Sequence, residues 1–196
     1  MKIIGITGGV GAGKSEIIEY LAKNYDAQIA KTDDIGHLGL KQTSVCYASI
    51  IDLLGSDIIK ADGELNRAKI SAIVHADKEK LADLDAILHP FVKQYIIKMI
   101  SKAKEVGKEY FFIEAALLLE DNYDQICDEI WYVYADCDIR RTRLMESRNY
   151  SETKVQQIMA NQLTEAEFRS RCDLVIDNSS DWAKTTQQID LRLQKY

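Results

Sequence analysis

Gly8-Gly9-Val10-Gly11-Ala12-Gly13-Lys14-Ser15 satisfies G-x-x-x-x-G-K-[ST] at every fixed position, and its flanks give the pattern a physical meaning. The apolar run Lys2 to Ile6 precedes it and reads as a short buried strand. From about Lys14 to Asn24 apolar residues recur at helical intervals. A strand, a glycine loop and a helix, in that order, let backbone N–H groups turn inward around phosphate oxygens while the helix presents its positive end. Lys14 is then placed to neutralise β- and γ-phosphates, and the Ser15 hydroxyl to ligate Mg2+.

Further along the chain, Ala27 to Ala30, Tyr110 to Ile113, Ile130 to Tyr134 and Leu174 to Ile176 are four more strand candidates separated by helical patterns. Such alternation predicts an α/β fold, a mostly five-stranded parallel sheet with helices on both faces. The helical stretch of about 38–103 is too long for a simple crossover and reads as a subdomain inserted between the second and third strands. Within it, Ala61-Asp62-Gly63 reads as a turn. A helix is expected over Asp77–Leu88, to be interrupted or kinked at His89 by Pro90, the only proline, with a second helix from about Phe91 to Glu105. The arginine-rich helices of about 138–171 form a second candidate mobile element, and a terminal helix should be capped by Ser180 or Asp181.

Composition bounds the function classes. A length of 196 residues suits one domain, and 46% hydrophobic with 29% charged residues excludes a disordered chain. The formal charge of −6 offers no broad basic footprint for a nucleic acid, although a local cationic site for a small anion is compatible with it. Cys46, Cys127, Cys137 and Cys172 form no C-x-x-C pair and read as reduced thiols of a cytoplasmic protein. No apolar run approaches the ~20 residues that span a bilayer, so no membrane partner is expected.

Three signals bear on the chemistry. Asp33 follows the second strand, where ligands of parallel sheets collect; it reads equally as an acceptor-orienting carboxylate or as a helix N-cap. Arg140, Arg141, Arg143 and Arg148 are half of the chain's arginines and lie within nine residues. Arg140 and Arg143 share a helix face that could clamp transferring phosphates, or the run could be a solvated surface helix. Glu114 and Glu120 flank a segment after the third strand where an acidic Mg2+ partner could sit. His37, His75 and His89 lack metal-ligand spacing.

Taken together, Ile4 to Ser15, Leu65-Asn66-Arg67, Leu84 to Pro90, Ala116 to Glu120, Arg143 to Arg148, Gln162 and Val175 to Asn178 resemble the dephospho-CoA kinases, in the right order over nearly the whole chain. The resemblance implies a single three-layer P-loop kinase domain over residues 1–196, of the nucleoside-monophosphate-kinase type, with a helical substrate-binding insertion at about 38–103 and a helical lid at about 140–171. The implied reaction transfers the γ-phosphoryl group of ATP, with Mg2+, to the ribose 3′-hydroxyl of dephospho-CoA. By the same resemblance Gly11, Ala12, Gly13, Lys14, Ser15 and Glu16 bind ATP, Arg143 and Arg148 lie near the nucleotide, Asp33 is catalytic, and Arg67 and His89 are substrate-side residues.

Two departures stand out: Lys31 replaces the first acid of the family's Asp-Ala-Asp signature, and Ala116 replaces a proline. If the second strand continued to Asp33, alternation would put Lys31 and Asp33 on one side and favour the ionised carboxylate, leaving Asp33 to orient the hydroxyl rather than to take its proton. Two alternatives remain at this stage. One is a kinase for another small acceptor. The other is a GTP switch, because Asp33-Asp34-Ile35-Gly36 fits D-x-x-G although no Asn-Lys-x-Asp motif accompanies it.

Overall fold

A computed structural model describes all residues, Met1–Tyr196. Five strands, β1 (Lys2–Thr7), β2 (Ala27–Lys31), β3 (Tyr110–Glu114), β4 (Glu129–Tyr134) and β5 (Leu174–Asp177), form one sheet in the order β2-β3-β1-β4-β5. β1 runs parallel to β3, with Ile4 beside Phe112, and to β4, with Thr7 beside Tyr132; β4 runs parallel to β5, with Trp131 beside Leu174. The chain divides into two compact units, Met1–Ile29 with Val106–Tyr196, and Ala30–Glu105.

The first unit is built on strand alternation. Ile4, Ile6, Phe112, Trp131, Val133 and Ile176 point to one face, where α1 (Lys14–Asn24) contributes Ile17, Ile18 and Leu21 and α9 (Trp182–Leu193) contributes Ile189 and Leu193. Each aliphatic side chain buried there stabilises the fold by about 1.5–3 kcal/mol. On the other face the Phe168 ring, carried by α8 (Glu165–Arg171), stacks on Tyr132 with centroids 4.6 Å apart and planes 9° apart. Between β4 and α8 lie α6 (Cys137–Arg148) and α7 (Glu152–Ala160). The Asp136 side chain caps α6, Ser151 caps α7, and Thr164 with Glu167 closes a reciprocal capping box on α8. Asp181, rather than Ser180, caps α9 by accepting from the amide of Ala183.

The second unit is helical: α2 (Thr32–Gly39), α3 (Tyr47–Leu54), α4 (Arg67–Ala76) and α5 (Lys78–Glu105). Its core joins Ile50, Leu54, Ile58, Leu65, Ile70, Val74 and Leu84. The turn at Ala61-Asp62-Gly63 is present, closed by an antiparallel bridge between Ile59 and Leu65, and Asn66 caps α4 by accepting from the amide of Lys69, 3.1 Å away.

Two expectations fail here. Asp77–Leu88 and Phe91–Glu105 are not separate helices, because α5 runs unbroken with Pro90 inside it. Proline removes the hydrogen bond to the carbonyl of Ala86, but Pro90 and Ala86 are exposed, so water can satisfy that carbonyl, and buried Leu84 and Val92 anchor the helix on both sides. Nor does the second strand reach Asp33. β2 ends at Lys31, and Asp33 lies in the first turn of α2, so strand alternation sets no relation between these two side chains.

Candidate active site

The glycine loop leaves β1 at Thr7 and enters α1 at Lys14. Gly13 caps the helix in the left-handed region at φ 93°, and a Cβ there would stand 2.1 Å from the side-chain nitrogen of Asn178, so both the backbone angle and the space demand glycine. The buried Lys14 ammonium donates to the carbonyls of Gly8 at 2.8 Å and Gly9 at 3.5 Å. Ser15 and Glu16 are exposed in the first turn of α1.

Three side chains seize the outer edge of the loop by its carbonyl oxygens. Arg140 Nε donates to Val10 O at 3.0 Å. Arg143 Nη1 donates to Gly11 O at 3.5 Å and Ala12 O at 3.4 Å, and its Nη2 donates to Asn178 O at 3.0 Å. Asn178, 2% exposed, donates to Ala12 O at 2.9 Å and accepts from the Thr185 hydroxyl at 3.0 Å. All peptide bonds are trans, and in a trans peptide the C=O and the following N–H point in opposite directions. Turning the carbonyls of Val10, Gly11 and Ala12 toward the two arginines and Asn178 therefore aims the amides of Gly11, Ala12 and Gly13 away from them. The Ala12 amide is spent on Gly9 O at 3.1 Å. Those of Gly11 and Gly13 are directed, with Lys14, at the side where an anion can bind.

The predicted residues fall into distinct settings. Arg143 touches the loop, whereas Arg148, also expected near the nucleotide, is exposed at the end of α6 and is not among the arginines that hold the loop carbonyls. Glu114 closes β3 beside Ile6, half-buried, and Glu120 is exposed. In the helical unit Asp33 is exposed on α2, and Arg67 opens α4 with its guanidinium against His37 Nε2. His37 is four residues beyond Asp33 and so shares its helix face. His89 is half-buried and pairs within α5 with Asp85 at 3.6 Å. Residues 33–36, which fit D-x-x-G, are helical rather than a loop.

Sequence reasoning named Arg140 only within the arginine cluster, and Gln162 and Asn178 only within the family resemblance, none of them as a site residue. Arg140 had a signal in its three-residue spacing from Arg143. The other two had only the family resemblance, because each meets the loop from more than 150 residues away.

No group of three or more His, Cys, Asp or Glu side chains is arranged to hold a metal ion. Burial pushes the thiols of Cys127 and Cys172 up to about 12, so both stay protonated and weakly nucleophilic.

The dephospho-CoA kinase profile matches residues 2–184. The chain belongs to the dephospho-CoA kinase family. A dephospho-CoA kinase from Carboxydothermus hydrogenoformans is 33% identical over all of this chain and 95% of its own. Among solved structures, a protein from Thermus thermophilus superposes with TM-score 0.83 at 24% identity, covering 99% of this chain and 97% of that one. A dephospho-CoA kinase from Campylobacter jejuni gives 0.74 at 21%, covering 100% and 97%. The three-layer P-loop kinase fold expected of this family is thus present, and no helix is long and apolar enough to cross a membrane.

Proposed function

We propose that the protein transfers the γ-phosphoryl group of ATP to the ribose 3′-hydroxyl of dephospho-CoA, giving CoA and ADP in the last step of CoA assembly in the cytoplasm. The observation that carries this reading is the loop whose carbonyls are turned outward onto Arg140, Arg143 and Asn178, which dedicates the Gly11 and Gly13 amides and Lys14 to an anion. Gly11 to Glu16 hold the nucleotide. Lys14 exchanges neutral carbonyl partners for phosphate oxygens, a stronger, charge-assisted pairing. Ser15 and the half-buried Glu114 would hold Mg2+, which supplies charge neutralisation on the phosphates.

Asp33 accepts a hydrogen bond from the 3′-hydroxyl and keeps its oxygen in line. The O3′–Pγ bond forms as the bond from Pγ to the bridging oxygen breaks, and the hydroxyl proton leaves through the exposed Asp33 carboxylate to water. In a loose transition state little deprotonation precedes transfer, so orientation is the main service of Asp33. Arg67 and His89 serve anionic parts of dephospho-CoA. Arg148 and the individually capped α7 and α8 act as a lid.

Incubation with Mg-ATP and dephospho-CoA should yield CoA by mass. Folded protein that forms no CoA, yet releases ADP faster with a different acceptor, would overturn the assignment. Asp33→Asn should lower the single-turnover rate at saturating substrates by about 10²-fold or more. A near-normal rate would remove Asp33 from the reaction.

A further inference from the structure

Val10 is the loop residue whose two backbone groups are both taken by side chains from elsewhere in the chain. Its amide donates to Gln162 Oε1 at 3.2 Å, and its carbonyl accepts from Arg140 Nε at 3.0 Å. The ring is closed by Arg140 Nη2, which donates to the same Gln162 oxygen at 2.6 Å. Both partners of Gln162 are donors, so the shared atom must be its oxygen. Gln162 lies between α7 and α8, half-buried, and Arg140 is half-buried on α6. A Cβ on Gly9 would stand 2.2 Å from the Arg140 guanidinium, so the missing side chain is what lets the arginine lie flat on the loop.

We propose that Gln162 is a positioning residue for nucleotide binding: through Val10 and Arg140 it fixes the two peptide planes at the front of the phosphate loop. With the Val10 amide held on Gln162, the Gly9 carbonyl turns to the other side of its peptide, where it meets the Ala12 amide and Lys14. With the Val10 carbonyl held on Arg140, the Gly11 amide is directed toward the phosphates. A guanidinium without the Gln162 oxygen would keep one anchor on the loop and lose its fixed plane. This role rests on the phosphate-binding reading of the loop and not on the identity of the acceptor.

The test pairs two substitutions at Gln162 with one at Arg140. Gln162→Leu keeps the bulk and removes the acceptor; Gln162→Glu keeps an acceptor oxygen. Affinity for a non-hydrolysable ATP analogue, read by calorimetry, should fall about tenfold in Gln162→Leu and stay within about threefold in Gln162→Glu. In steady state the Leu variant should lose kcat/KM for ATP while KM for dephospho-CoA stays as in the wild type, a split that general destabilisation does not produce. In an Arg140→Gln background, Gln162→Leu should cost less than about twofold more, because the two act as one unit. Should Gln162→Leu fail to fold, Gln162→Ser, too short to reach Val10, carries the same expectation. Wild-type analogue affinity in the Leu variant, equal losses in Leu and Glu, or losses that multiply in the double variant would each overturn the proposal. The binding measurements use no acceptor, so they stand apart from any failure of the dephospho-CoA assignment.

Discussion

The loop glycines were legible one residue at a time because each has a backbone freedom no neighbour can replace. Gly13 shows why. At φ 93°, with 2.1 Å between a Cβ and the Asn178 side chain, an alanine is strained twice over. Gly13→Ala should cost about 1–2 kcal/mol from the left-handed backbone alone, and should also push Asn178 off the Ala12 carbonyl. Calorimetry should find nucleotide affinity lowered at least tenfold, roughly the worth of one such displaced contact; unchanged affinity would contradict this account of the loop. Arg140, Gln162 and Asn178 had no comparable legibility. A lone arginine, glutamine or asparagine looks alike wherever it falls, and these become loop partners only through chain folding that joins residues 130 to 170 positions apart.

Elements with a strong local pattern were read closely: α1 spans Lys14–Asn24 as its apolar spacing predicts. Errors arose where local preference met tertiary packing. Pro90 forecast an interruption or kink with a second helix beyond it, yet α5 is one helix, because Leu84, Ile87 and Leu88 before the proline, and Phe91, Val92, Ile96 and Ile100 after it, are all engaged in packing. Proline in a helix interior costs about 3 kcal/mol relative to alanine. Pro90→Ala should therefore raise stability by about 1–3 kcal/mol in urea denaturation, with a matching rise in melting temperature. A lower midpoint would show that proline sets a geometry the helix needs. The end of β2 at Lys31 was likewise hidden, because Lys-Thr-Asp-Asp suits a strand terminus and a helix start equally well.

At the scale of the whole molecule, the strand order β2-β3-β1-β4-β5 has no sequence signature. Parallel strands joined by crossovers can be ordered in several ways, and burial of long-range contacts selects one. The Glu129 carboxylate illustrates such a contact. Its side chain is 3% exposed, accepts from Trp131 Nε1 at 2.8 Å, and is paired through both oxygens with Arg192 of α9 at 2.7 Å. Arg192→Met would strand a buried carboxylate and should destabilise the fold by about 3–5 kcal/mol in urea denaturation. Adding Glu129→Met to that variant should recover most of the loss, because the penalty comes from the unpaired charge. No recovery would mean that Arg192 acts through packing alone.

The net charge of −6 hides a division of this kind. Lys14, Arg140 and Arg143 meet at one loop, so a protein whose net charge is unsuited to a polyanionic backbone still carries a local cationic focus. By itself the sequence determined the α/β class, the glycine loop between strand and helix, the principal helix and strand positions and the family, because these follow from local periodicity, conformational freedom and fixed spacing. Only the tertiary structure decided the strand order, the continuity of α5, and the outward hold on the loop by Arg140, Arg143, Gln162 and Asn178. Those depend on contacts between distant segments, whose energies exceed local preferences and leave no mark in either segment alone.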